Sequence, residues 1–240
     1  MPGLRRTGKA YHSGVPILIK MTIKLAVFDM DGVLTLEKSS WGFVNRYLGI
    51  DSTKNLENLM KGKIEYEDLF TEEVRNWLNI NRKFSGAELI KILSGIRLSQ
   101  NLVASINEIN RTGIRCAIIS GGLYPLASRI GEMSGIHIIR ANDIVLDSDG
   151  LLTPEGRIMV DPRKKDLVLR EIQKSLGINE NETVSVGDSP EDEKMFIHSG
   201  KSIFISHSGD NKLPRSSLVL GPGNMEPIKS AIINWNRDSI

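Results

Sequence analysis

Two aspartates, Asp29 and Asp31, close an apolar run in the stretch "LAVFDMDGVLT", and Gly32 follows them. In extended backbone, residues two apart point to the same side, so both carboxylates open onto one space. Gly32 lets the chain turn directly afterwards. Two like charges that close either push one pKa upward or require a cation. A strand that simply ends in an Asx-type turn would show the same residues.

Three further places carry suitable groups. "CAIISGGLYP" ends an apolar run in Ser120-Gly121-Gly122 and opens a helix with Pro125. A hydroxyl and two glycines at a helix start offer donors to an anion with nothing bulky in the way, although such turns also use Ser and Gly for geometry alone. "DPRKKDLVLREIQKSLG" reads as a helix with Asp161 as its cap, Pro162 at its first position and Gly177 past its end. Arg163, Lys164 and Lys165 then crowd the end of the macrodipole that disfavours cations. That conflict suggests an anion nearby, and a solvated basic turn is the other reading. The helical period turns Lys165 toward the apolar stripe of Val168, Leu169, Ile172 and Leu176, and Lys164 roughly 100° away. "TVSVGDSPEDEKMF" runs from an apolar strand through Gly187-Asp188 to a helix start at Ser189-Pro190. Asp192 serves there beside Asp188, as half of a capping box with Ser189, or as both.

These groups share one position: each falls at the C-terminal end of a predicted strand or at the helix start beside it. Apolar runs recur at "KLAVFD", "IRCAIIS", "IHIIRA", "TVSVGD", "KSIFIS" and "SSLVLG", with helical segments between most of them. Continuous apolar strands alternating with helices predict an α/β fold, a doubly wound parallel sheet with helices on both faces. Ser148-Asp149-Gly150 suits a tight hairpin inserted into that scheme. Residues 38–99 differ, showing helical spacing with glycine stops, and read as a small helical cap inserted after the first strand. The core is then 21–37 together with 100–240. Residues 1–20 are basic and rich in turn formers: either translation begins at Met21, or these residues are a disordered extension.

Composition narrows the partners. The chain has 240 residues, a formal net charge of +2 and 40% hydrophobic residues. That charge falls short of a nucleic-acid footprint, and no apolar window approaches the roughly 20 residues that span a bilayer. A small molecule is the expected partner, with neither nucleic acid nor membrane. The single cysteine, Cys116, lies in an apolar stretch, so no intramolecular disulfide forms and a cytoplasmic setting is expected. His12, His137, His198 and His207 show no paired metal-ligand spacing and read as structural or surface residues, and no GxSxG elbow follows a strand.

"DMDGVLT", Ser120, Lys165 and "GDSPED" resemble, in order, the four motifs of the haloacid dehalogenase superfamily of phosphatases, over nearly all of residues 21–225. The insertion after the first motif, "SGG" and the length are similar to the phosphoserine phosphatase-like branch. The resemblance implies a magnesium-dependent phosphatase acting on a small phosphorylated metabolite. Asp29 is then the nucleophile and Asp31 the general acid and base. Ser120, Gly121 and Lys165 hold the phosphate. Mg2+ is bound by Asp29, Asp188 and the main-chain oxygen of Asp31, with Asp192 behind them. A carboxylate approaching a phosphate is repelled by roughly 4 kcal/mol per charge pair at about 4 Å and an effective dielectric near 20, which is why that chemistry requires the dication. Phosphatases of another small ester, such as a sugar or enol phosphate, and phosphotransferases share the scaffold.

The insertion departs from the phosphoserine pattern. That branch uses an acidic residue for the substrate ammonium and an arginine for its carboxylate. Aligning "LMKGKIEYEDL" with the comparable stretch puts these positions at Lys38 and Glu73, with both charges reversed. Glu37 and Arg75 stand nearby as possible substitutes. Trp41, Phe43 and Tyr66 either line an apolar pocket or pack the cap against the core.

Overall fold

The computed structural model of the chain describes residues 22–51, 53–209 and 215–237. The extension at 1–20 and the start at Met21 lie outside them. A seven-stranded sheet has the order β4-β3-β2-β1-β5-β6-β7. Its strands are β1 (Leu25–Phe28), β2 (Arg115–Leu123), β3 (Ile138–Leu146), β4 (Leu152–Arg157), β5 (Thr183–Gly187), β6 (Lys201–Ile205) and β7 (Leu218–Leu220). All neighbouring pairs are parallel except β3 with β4. The four residues of β1 are fully buried at the centre. Ala26 and Phe28 join one apolar cluster while Leu25 and Val27 join a second on the other face. That two-sided burial is the reason the strand reads as a continuous apolar run.

Nine helices accompany the sheet among the described residues: α1 (Ser40–Leu48), α2 (Thr53–Met60), α3 (Tyr66–Ile80), α4 (Gly86–Leu93), α5 (Leu102–Arg111), α6 (Tyr124–Ser134), α7 (Lys165–Leu176), α8 (Glu193–Ile197) and α9 (Glu226–Arg237). Ile106 of α5, Ile130 of α6 and Ile232 of α9 cover one face, and Leu169 of α7 and Met195 of α8 the other. The first four helices lie between β1 and α5. Entry and exit of this segment are zipped together, with Leu36 N donating to Arg97 O (2.9 Å) and Ser99 N to Leu34 O (2.9 Å). Its apolar side, with Val44, Phe70, Trp77 and Leu89, continues the cluster on one face of the sheet.

Two details differ from the sequence reading. The run "IHIIRA" continues without a break to Leu146 as the single strand β3, which pairs parallel with β2 at its start and antiparallel with β4 at its end. The hairpin turn at 147–150 carries Gly150 at φ 76°, and the Asp147 carboxylate accepts from the amides of Asp149 and Leu151. Residues 162–164 form a 3₁₀ turn, and α7 proper begins at Lys165.

β1 sits where the strand order reverses, with β2 on one side and β5 on the other. In open α/β sheets the crevice at that switch point, outside the carboxyl ends of the strands, is where ligands bind.

Candidate active site

Asp29 follows β1 directly, its amide held by Val186 O on β5 at 2.9 Å. Its carboxylate accepts from Met30 N through Oδ1 (2.7 Å) and lies 2.9 Å from Lys165 Nζ through Oδ2. Asp31 Oδ2 accepts from both the amide (2.9 Å) and the hydroxyl (2.8 Å) of Ser40, the first residue of α1. The inserted segment therefore fixes the second aspartate from its first turn. Asp31 Oδ1 is buried without a hydrogen-bond partner. Gly32 has φ 74°, and a Cβ there would fall 2.0 Å from Asp188 Oδ2. The glycine thus lets the β1 turn and the Asp188 carboxylate share one space.

Lys165, 3% exposed, reaches Asp29 and also Asp192 Oδ1 at 2.6 Å. Asp192 Oδ2 accepts from Asp188 N, Ser189 N and the Ser189 hydroxyl. The carboxylate thus caps the turn, as the capping-box reading expects, and anchors the lysine at once. Arg163 and Lys164 behave otherwise. Arg163 pairs with Asp161 (2.9 Å) and Glu65 (3.1 Å), and Lys164 lies 3.7 Å from Asp161. Neighbouring carboxylates answer the charge of these two residues.

Ser120 and Gly121 lie at the end of β2. Ser120 Oγ accepts from Gly122 N at 3.1 Å, so its own proton is free to be donated. The carbonyl of Gly121 accepts three donors: Tyr66 Oη (2.8 Å), Trp41 Nε1 (3.1 Å) and Asn142 Nδ2 (3.1 Å). Asn142, fully buried, also takes the amides of Met159 and Val160 on its oxygen.

Asp29, Asp31, Ser120, Gly121, Lys165 and Asp188 line one cavity of about 510 Å³, with Asp192 buried just behind. The opposite wall comes from the inserted segment. Trp41 and Tyr66 lie on that wall, while Phe43 packs against the core. Lys38 and Glu73 are both on the cavity. The two substitutes are elsewhere: Glu37 is paired with Arg46, and Arg75 borders a separate depression beside β4. Helical spacing explains Arg75, since two residues along α3 from Glu73 is the opposite face.

A family model for haloacid dehalogenase-like hydrolases matches residues 23–200. The chain belongs to this family. Among its relatives, a phosphoserine phosphatase of Archaeoglobus fulgidus is 28% identical over 206 residues, 82% of this chain and 58% of that protein. The chain therefore spans little more than half of that relative. A phosphoserine phosphatase of Methanocaldococcus jannaschii is 28% identical over 184 residues, covering 75% and 84%. A substrate-bound phosphoserine phosphatase structure shares the fold with a TM-score of 0.71 at 22% identity, covering 88% of this chain and 98% of that one. Within the haloacid dehalogenase-like hydrolases, the similarity is to the phosphoserine phosphatase-like branch.

In this member of the family, burial and mutual repulsion dominate the electrostatics. Burial, chiefly, pushes the carboxyl of Asp29 up to about 6 against the pull of Lys165, Asp31 up to about 7, and Asp188 up to about 8 with Asp29 and Asp192 adding to it. Four carboxyl groups face one ammonium, an excess of negative charge that a protein interior does not tolerate unpaired. Oxygens of Asp29, Asp188 and Asp192 lie within 4.8 Å of one another. All of these donors are hard oxygens, and Asp31 Oδ1 is left over. The set fits a small divalent cation.

Three residues that touch this machinery escaped the motif reading: Ser40, Asn142 and His207. His207 Nε2 lies 3.1 Å from Asp188 Oδ2 and 3.1 Å from Gly32 O. Both neighbours are acceptors, so Nε2 carries the proton. Burial and the charge of Lys38 lower the His207 pKa. No spacing signal could have found it, because the contact with Gly32 spans 175 positions.

Proposed function

We propose that the protein is a magnesium-dependent phosphomonoesterase, similar to phosphoserine phosphatases, that hydrolyses a small phosphorylated metabolite through an aspartyl-phosphate on Asp29. The observation that carries this reading is the convergence of Asp29, Asp31 and Lys165 on one cavity edge, with Asp29 and Lys165 2.9 Å apart.

Asp29 attacks phosphorus, and its carboxylate oxygen replaces the ester oxygen there. Asp31 gives the leaving alkoxide its proton, then takes one from the water that hydrolyses the aspartyl-phosphate, so both residues return to their starting state. A carboxyl pushed up to about 7 suits that alternation, since both of its forms are populated near neutrality. The Ser120 hydroxyl, the Gly121 amide and the Lys165 ammonium hold the oxygens on which charge accumulates. Asp29, Asp188 and the main-chain oxygen of Asp31 would hold Mg2+, which when bound would supply the positive charge that lets a carboxylate approach a phosphate. Asp192 acts from behind, because its two oxygens already accept from Lys165 and from the 188–189 turn. Helices α1–α4 serve as the cap that shuts water from the cleft.

Phosphate release from p-nitrophenyl phosphate tests this reading. Turnover that appears with Mg2+ and disappears with a chelator supports it. Equal turnover in both conditions overturns it.

A further inference from the structure

The proton donor of the steps above has a partner outside the four motifs. Ser40 is fully buried. Its Oγ accepts from the amide of Leu123 at 3.1 Å and lies 2.8 Å from Asp31 Oδ2. An amide can only donate, so the one hydroxyl proton of Ser40 is left for Asp31. The chain therefore runs in one direction, from Leu123 N–H to Ser40 Oγ–H to Asp31 Oδ2. The Ser40 amide donates to the same carboxyl oxygen at 2.9 Å. It is one of the first-turn amides of α1 that have no carbonyl partner within the helix.

Two donors aimed at Oδ2 make it the acceptor oxygen, and the proton of the acid form belongs on Oδ1. Oδ1 is buried without a hydrogen-bond partner among the described residues, and Asp31 lines the cavity. Turning the carboxyl over about its Cβ–Cγ bond would set the protonated oxygen against two donors, so Ser40 opposes that turn. Gly122 makes room for the pair. A Cβ there would fall 2.6 Å from Asp31 Oδ2 and 2.7 Å from Ser40 Oγ.

We propose that Ser40 is a positioning residue for proton transfer, holding Asp31 so that Oδ1 is the oxygen that serves the departing ester. As the bond from Asp29 to phosphorus forms and the ester P–O bond breaks, the Oδ1 proton passes to the leaving oxygen, and Ser40 keeps its own. Oδ1 then takes a proton from the water that hydrolyses the aspartyl-phosphate. Because the chain ends on Leu123 in β2, the orientation of the acid is tied to the seating of α1 on the turn that carries Ser120. This inference rests on the phosphomonoesterase reading and adds a residue to it.

Two aryl esters of similar shape, hydrolysed by the full chain with Mg2+, test it. The leaving group of p-nitrophenyl phosphate departs with little need of a proton, whereas that of phenyl phosphate is more basic and depends on the acid. The quantity read is kcat/KM, which ends at loss of the leaving group and does not contain hydrolysis of the intermediate. Ser40→Ala is expected to lower it about tenfold for phenyl phosphate, the scale of one hydrogen bond to a charged group, and by a clearly smaller factor for p-nitrophenyl phosphate. Asp31→Asn should show the same selectivity more strongly. A lost structural support would lower both esters alike, so equal losses in Ser40→Ala, or no loss on phenyl phosphate, overturn the inference while the phosphatase reading stands. A parent that hydrolyses p-nitrophenyl phosphate but not phenyl phosphate has no working acid and overturns it as well. Should Ser40→Ala fail to match the parent by circular dichroism, Ser40→Cys, close in shape and a weak donor, is read by the same criteria. Failure of the parent to hydrolyse p-nitrophenyl phosphate overturns the phosphomonoesterase reading itself.

Discussion

The phenolic hydroxyl of Tyr66 donates to the carbonyl oxygen of Gly121 at 2.8 Å. Tyr66 opens α3 in the inserted segment, and Gly121 belongs to the core turn that carries Ser120. Trp41, also from the insertion, donates to the same oxygen, so two inserted residues lock onto the peptide that presents the candidate phosphate donors. Burial drives the Tyr66 pKa far upward, and its proton stays in place throughout the working pH range.

Tyr66→Phe removes that donor and keeps the ring. A net hydrogen bond of about 1 kcal/mol predicts a fall in Tm of roughly 2–4 °C for a chain of this size. If the contact orients the Ser120 turn, kcat falls about tenfold while KM changes less. A variant that loses only stability would reduce the contact to packing. Steady-state kinetics beside a thermal melt decides.

Asp29→Asn keeps the shape and the Met30 amide contact but removes the proposed nucleophile. Turnover is expected to vanish, with the fold retained by circular dichroism. The asparagine also relieves part of the clustered negative charge, so the metal-free variant is expected to melt no lower than the parent. Robust phosphate release from Asp29→Asn would remove this residue from the mechanism.

The raised carboxyl groups set a pH dependence of stability. Asp29, Asp31 and Asp188 hold protons in the folded state up to about 6, 7 and 8, against 3.8 for the ordinary aspartate. Between these limits the native state binds more protons than the unfolded chain, and stability therefore falls as pH rises. Metal-free protein is expected to show a higher Tm near pH 5 than near pH 8 from these groups. Mg2+ should restore more stability at the higher pH, where it has no protons to displace. Melting curves at both pH values, with chelator and with Mg2+, provide the check; a Mg2+ shift that is larger at low pH would contradict the assignment.

His207→Ala removes the donor that holds Asp188 at 3.1 Å. The residue behind a metal-ligating carboxylate commonly governs metal affinity by about 10-fold or more. The Mg2+ concentration for half-maximal activity is expected to rise by about that factor, with His207→Gln intermediate because it keeps a donor. An unchanged Mg2+ requirement would assign His207 to packing.

Much of this molecule is legible because its signals are local. Six apolar runs became strands of the sheet, since a strand buried on both faces needs every residue apolar. Asp29, Asp31, Ser120, Lys165 and Asp188 stand at strand ends or helix starts that turn residues announce. The fused strand β3 was harder to see, because Arg140, Asn142 and Asp143 interrupt its apolar pattern. Asn142 is polar for a reason only the fold supplies: it bonds the Gly121 carbonyl, Tyr66 and the 159–160 backbone together.

The sequence by itself determined which chemical groups stand at the carboxyl edge of the sheet, because side-chain identity and strand termination are local properties of the chain. The tertiary structure alone decided their partners. It gave Lys165 to Asp29 and Asp192, gave Arg163 to Asp161 and Glu65, turned Arg75 away from the cavity and brought His207 to Asp188. Such pairings depend on distances between residues far apart in the chain, and those distances exist only once the sheet and the inserted helices have packed.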